Sequence, residues 1–215
     1  YKDVKPNVNL TIEALPVNGY VDKAVTTILG GGGPDILAVD VTQMGTLVDK
    51  NLLLPWDDKI QDMDLSDFAA VIDGGMFDGT YYGLPYRTSS SIMYYNKTMF
   101  DEAGVAYPEE GWTYDDMLEI AKKLTIPGEQ YGVGIAASNA FMTLSPIVWS
   151  YGADFLNEDQ TECTLNTPEA MEAVRFFTGL YTTEKVTPEG VINYTMTKDI
   201  MPLFIENKVG MMMGG

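Results

Sequence analysis

The sequence predicts an α/β fold in two lobes, on three observations. Residues 8–72 alternate strand-like and helix-like patterns, as a sheet covered by helices would. Between Tyr81 and Asn96 a polar stretch separates two short segments of apolar and aromatic residues, which suits a crossing between two bodies. From Trp112 to Met213 a second series of helix and strand patterns follows.

In chain order, Val8–Leu15 alternates with period two and predicts a half-buried strand. Pro16-Val17-Asn18-Gly19 is a turn, and Val21, Ala24, Val25 and Ile28 mark a helix from Tyr20 to Leu29 that Gly30–Gly33 stops. These glycines end a helix and lead to no Lys-Ser/Thr pair, so they are not a phosphate loop. Ile36–Val39 predicts a strand covered on both faces. Asp40 and Thr42 stand at its carboxyl end, where open α/β sheets bind ligands. A helix with Met44, Leu47 and Val48 inward follows, then a buried connector Leu52–Trp56, then a helix from Leu65 with Phe68, Val71 and Ile72 inward. Asp78-Gly79 is a two-residue hairpin signal. Leu84 is held extended by Pro85, the run Arg87–Ser91 is polar, and Ile92–Tyr95 is a strand.

Beyond the crossing, Asn96 opens a short helix that Gly104 ends. Thr113 and Asp116 form a capping box ahead of a helix burying Met117, Leu118, Ala121 and Leu124. Tyr131–Ala136 is a strand whose two glycines predict close approach of another backbone. Ala140–Gly152 is an aromatic-rich helix with Pro146 inside it. Thr167-Pro168 starts a helix burying Ala170, Val174, Phe177 and Tyr181. Asp199–Asn207 is a helix, and Val209–Met213 is a buried strand rather than a soft-metal site.

Composition excludes some functions. With 31 acidic and 13 basic residues the formal charge is −18, which argues against nucleic acid and against an anionic membrane surface. There is no histidine, so His-based triads and metal sites are excluded, and the single Cys163 allows no internal disulfide. No apolar run approaches the roughly 18 residues of a membrane helix. The chain starts mid-pattern at Tyr1 without a secretory leader, as a processed or truncated chain would.

Eight segments then agree in order with one family. They are Gly33–Ile36, Leu52–Pro55, Asp78–Tyr86, Met93–Phe100, Gly111–Met117, Trp149–Asp154, Leu165–Ala170 and Phe204–Gly215. The chain resembles the extracellular solute-binding proteins of ABC importers, in the sugar-binding branch that includes maltose-binding protein. The resemblance implies a two-lobed, type II periplasmic-binding-protein-like α/β fold, present as an incomplete chain. Lobe one would span residues 1–86, a hinge crossing 87–93, lobe two 94–213, and a second crossing would start at 214–215. Apolar surface on lobe one would then be uncovered. The implied function is reversible capture of a carbohydrate in the cleft and delivery to membrane permease subunits. No cofactor and no catalysis are expected, and the location would be extracellular, either lipid-anchored at the cell surface or periplasmic.

A sugar needs polar groups for its hydroxyls and aromatic faces for its C–H surfaces. By resemblance, lobe one supplies Asn18, Asp40 and Thr42, the crossing supplies Arg87, Ser89 and Ser90, and lobe two supplies Phe141, Trp149 and Tyr151 as platforms. The three aromatics could equally pack in a helix core. Arg87 stands where many sugar-binding relatives carry a carboxylate. It could clamp an anionic ligand in two-pronged fashion or pair with a neighbouring carboxylate. An anionic or non-sugar solute on the same fold therefore stays open. A glycoside hydrolase using two carboxylates is the remaining alternative, although Asp40 has no partner carboxylate in the crossing.

Overall fold

Two units make up the chain, Tyr1–Thr88 and Ser89–Gly215, in a computed structural model that describes residues 3–15 and 19–214. The first unit contains α1 (Tyr20–Leu29), α2 (Val41–Asp49), α3 (Asp57–Ile60) and 3-10 turns over Ser66–Gly75. A hairpin of β1 (Met76–Phe77) and β2 (Thr80–Tyr81) follows. Its turn residues Asp78 and Gly79 have φ of 49° and 77°. Positive φ at both central positions is the geometry whose twist matches the flanking strands, and an Asp-Gly pair reaches it at low cost. In α1 and α2 the side chains of Val21, Ala24, Met44 and Leu47 are buried, and Ile60 of α3 joins the buried set.

Several expectations for this unit are corrected. Neither Val8–Leu15 nor Ile36–Val39 is a strand. A strand exists through its ladder, and no sheet among the described residues includes either segment. Ile12 is 88% exposed and Ile36 78%, so the apolar alternation has nothing to face. Asp40 therefore stands at the start of α2 and not at the end of a strand. The turn expected around Asn18 lies outside the described residues. The stretch from Ser66 winds as 3-10 rather than α. In a three-residue repeat Ile72 lines up with the buried Gly75, and Val71 is left exposed. The connector Leu52–Trp56 is only half-buried, with Leu54 and Pro55 exposed. Its end is fixed by the Trp56 N–H, which donates to the Tyr81 carbonyl at 2.7 Å.

The second unit holds β3 (Ile92–Tyr95), α4 (Lys97–Ala103), α5 (Tyr114–Leu124) and β4 (Tyr131–Gly134). Then come α6 (Ala140–Ser150), α7 (Pro168–Thr182), α8 (Met201–Ile205) and β5 (Val209–Gly214). The sheet order is β3-β5-β4, with β5 antiparallel to β3 and parallel to β4. Val133 pairs with Met211 and Tyr95 with Met211 from the other side, so β5 is central. That position explains the methionine run, in which Met211 and Met212 are buried strand residues.

The helix starts follow their caps. Asn96 accepts from the Met99 N–H at 3.2 Å, and Thr167 accepts from the Ala170 N–H at 3.3 Å with Pro168 in the first turn. Thr113 and Asp116 form a reciprocal box, the Thr113 N–H donating to the carboxylate at 2.8 Å and the Asp116 N–H donating to Thr113 Oγ1 at 3.2 Å. A second such pair begins the last helical stretch earlier than expected. The Thr195 N–H donates to the Asp199 carboxylate at 2.7 Å, and a π turn over Met196–Ile200 leads into α8.

The core of this unit gathers Phe100, Leu124, Val133, Ile147, Leu180 and Met211, all within 2% of complete burial. Fully burying one such side chain contributes about 1.5–3 kcal/mol. On α7 the buried stripe is Ala170, Ala173, Phe177 and Leu180, so Val174 and Tyr181 are half-buried flanks rather than its centre. Gly132 lets α5 lie on the sheet, because a Cβ there would run into the Ala121 backbone. Gly134 faces the side chains of Ile200 and Val209 instead of another backbone.

Candidate functional site

In the first unit, Asp40 is the N-cap of α2 and its Oδ1 accepts from the Thr42 N–H at 3.0 Å and the Thr42 hydroxyl at 2.6 Å. Both residues are exposed, and their mutual bonds are explained by helix capping. Arg87 is exposed and its guanidinium carbon lies 5.7 Å from the centre of the Tyr86 ring. Among the described residues it makes no ion pair, so the neighbouring-carboxylate role is not realised. Ser89 and Ser90 are exposed and belong to the second unit, so the polar run Arg87–Ser91 spans the boundary. Asn18 lies outside the described residues.

The second unit brings two of its expected platforms together. Phe141 and Trp149 leave α6 as an exposed pair, 45% and 52% accessible, with ring centres 6.5 Å apart and planes at 89°. They are therefore not helix core. Phe155, in the irregular segment after α6, completes the group at 5.4 Å from Phe141 and 6.5 Å from Trp149. Sequence reasoning missed Phe155 because that segment has no periodicity. The Trp149 indole N–H donates to Asp154 Oδ1 at 3.1 Å, and the same oxygen accepts from the Phe155 N–H at 2.7 Å.

Tyr151 stands apart from these three rings. It is half-buried, packs on Phe176 at 6.2 Å and lines a cavity of about 600 Å³ inside the second unit. Trp112 and Tyr114 at the start of α5 contribute two more aromatic walls, Asp115 and Glu172 contribute carboxylates, and Ser150 a hydroxyl. Trp112, directly before the helix cap Thr113, borders this space. Lysine and arginine are absent from the cavity wall among the described residues. Burial pushes the Tyr114 phenol above its ordinary value. Burial also raises Tyr151, with the charges of Asp115 and Glu172 adding to it. Aromatic faces with carboxylate acceptors suit a hydroxyl-rich neutral molecule and disfavour an anion.

The comparisons agree with this fold. The family model described as bacterial extracellular solute-binding protein matches residues 1–215, and the chain belongs to that family. A binding protein of Brucella abortus is 31% identical over 211 residues, 96% of this chain and 50% of the relative. The arabinooligosaccharide-binding protein of Halalkalibacterium halodurans is 30% identical over 190 residues, 85% of this chain and 42% of the relative. Among solved structures, an ABC substrate-binding protein from Listeria monocytogenes in complex with cycloalternan superposes with a TM-score of 0.86 at 28% identity, covering 99% of this chain and 55% of that one. The fold is thus that of the two-lobed type II binding proteins, and the chain spans about half the length of the relatives it matches. No helix among the described residues is long and apolar enough to cross a membrane.

Proposed function

We propose that the chain is the solute-capturing part of a bacterial ABC import system and that its solute is a carbohydrate, an oligosaccharide above all. Capture is reversible, no bond is broken, and the solute passes to membrane permease subunits. The working place is outside the cytoplasmic membrane, either lipid-anchored at the surface or periplasmic. Residues 1–86 and 94–213 act as the lobes and 87–93 as the hinge. The observation that carries this reading is the exposed pair Phe141 and Trp149, two aromatic rings open to solvent on one unit with the half-buried Phe155 packed behind them. An exposed aromatic face suits the apolar C–H face of a sugar ring. Relatives named for arabinooligosaccharide and solved with cycloalternan support the same class. Asp40, Thr42, Arg87, Ser89, Ser90 and Tyr151 are the polar and aromatic contacts proposed beside the platform.

One observation favours a second reading, an acidic solute: the Arg87 guanidinium is exposed and makes no ion pair among the described residues. Calorimetric titration of the full-length protein with maltotriose and with a uronic-acid trisaccharide separates the two. Trp149→Ala is expected to weaken the neutral sugar by roughly tenfold to a hundredfold, the loss of one large apolar contact. Arg87→Lys keeps the charge but loses the planar fork, so under the first reading it weakens the neutral and the acidic sugar by equal, small amounts. A large loss confined to the acidic sugar in Arg87→Lys would establish the second reading instead.

A further inference from the structure

We propose that Asp154 is a positioning residue for Trp149, and that through it the platform offers a ligand ring carbon only, which selects the C–H face of a pyranose over its hydroxyls. This rests on the carbohydrate reading above and names how one site residue is made ready.

Trp149 lies at the end of α6 with half its surface in water, and Phe141 and Phe155 stand against its ring. A polar contact adds to that packing. Asp154 Oδ1 receives the indole N–H at 3.1 Å, and Asp154 is itself fixed twice. The same Oδ1 receives the Phe155 N–H at 2.7 Å, and the Asp154 carbonyl receives the Thr164 hydroxyl at 2.6 Å. The chain reaches this position through a turn in which the Gly152 N–H donates to the Trp149 carbonyl at 3.0 Å with Gly152 at φ 75°. Thus Asp154 is anchored by bonds of its own, and the Trp149 ring that it holds stands nearly perpendicular to both Phe141 and Phe155, at 89° and 79°.

Two consequences follow for the ligand. The indole has one donor, and it is spent on Asp154, so no hydroxyl of a sugar meets a donor on this ring. The rest of its accessible surface is carbon, as is that of the two phenylalanine rings, so the group recognises apolar sugar faces. A ring already fixed in place also loses less freedom when the ligand lands, and that saving appears as affinity.

The test uses full-length protein labelled with 15N, in which Trp149→Phe assigns the Trp149 indole N–H signal. Asp154→Ala removes the acceptor, and Asp154→Asn keeps a carbonyl oxygen in its place. Asp154→Ala is expected to shift the Trp149 indole signal and speed its exchange with solvent, and to weaken maltotriose by about three- to tenfold. Asp154→Asn is expected to stay within about twofold of the parent on the same scale. An unmoved indole signal in Asp154→Ala overturns the grip. A moved signal with undiminished maltotriose affinity, in a protein where Trp149→Ala does weaken that sugar, overturns the positioning role. If neither maltotriose nor arabinotriose binds the parent protein, the carbohydrate reading falls, and the ligand half of this proposal falls with it. A loss in Asp154→Ala that Asp154→Asn fails to restore overturns the acceptor mechanism.

Discussion

Val133 and Ile36 each sit in a short segment that the sequence predicts as a strand. Val133 is paired with Met211 on β5 and is buried. Ile36 has no ladder partner among the described residues and is exposed. The difference lies in the neighbours and not in the run. In the unit Ser89–Gly215 the chain itself supplies a central strand, two flanking strands and helices to cover them. In the unit Tyr1–Thr88 the apolar segments 8–15 and 36–39 meet no sheet among the described residues, and the buried hydrophobic side chains described there are a few residues of α1, α2 and α3. Apolar pattern states what a segment can do, and a hydrogen-bonded partner decides whether it does so.

The largest effect that could break this contrast is a cavity in the second unit. Phe100 is fully buried, with the Tyr95 ring 5.3 Å away and Tyr107 6.1 Å away. Phe100→Ala is expected to cost about 3–5 kcal/mol, because the transfer term and the unfilled volume add. Urea unfolding of the parent and the variant reads this directly. A cost under about 1 kcal/mol would mean that the core of the second unit is not what holds it together.

A smaller effect concerns the helix starts. Asp116 is held below the ordinary carboxylate range by hydrogen bonds from the Thr113 hydroxyl and then its backbone N–H. Asp199 is held low in the same way by the Thr195 N–H and then its hydroxyl. A carboxyl whose folded value lies below its unfolded value of about 3.9 adds stability that is fully present above that value. The contribution is lost as pH falls through the folded value. Thr113→Val removes the hydroxyl that lowers Asp116 most. Its urea midpoint is expected to fall less than the parent's between about pH 7 and about pH 2. An identical fall in both proteins would show that the box contributes nothing to acid sensitivity.

How much of this was legible in the sequence follows the same division. Asn96, Thr113 and Thr167 act on atoms three residues away, and each caps the helix that its sequence position predicts. Asp78-Gly79 likewise needs only its own backbone to turn the hairpin. The strands at 8–15 and 36–39 could not be settled, because their existence depends on atoms far away in the chain. The side a residue faces was equally hidden for Leu54 and Val71. In the candidate site, Phe141 and Trp149 were expected through the family resemblance on an aromatic-rich helix, whereas Phe155 sits in an irregular segment that no pattern marks. Asp154 stood inside one of the eight family segments, but no spacing rule connects a carboxylate to an indole five residues earlier across a glycine turn.

The smallest expected effect tests the first unit most sharply. Ile12 is an isoleucine with almost its whole side chain in water, in a segment whose backbone forms no sheet among the described residues. In this chain, Ile12→Ser therefore removes apolar surface that is already hydrated in the folded state, and the change in stability is expected to stay within about 0.5 kcal/mol. The same substitution at a buried isoleucine such as Ile147 would uncover a cavity and strand a hydroxyl, at several times that cost. Amide exchange adds a backbone measure. Residues 9–15 have no backbone partner within the described residues and are expected to exchange at rates near those of an open chain, while the amides of β5 exchange only when the sheet opens. If Ile12→Ser instead costs as much as a core cavity, or the amides of 9–15 are protected like those of β5, then the segment is paired in solution, by another part of the full-length protein or by a second copy. The contrast between the two units would then belong to the 215 residues alone and not to the protein that carries them.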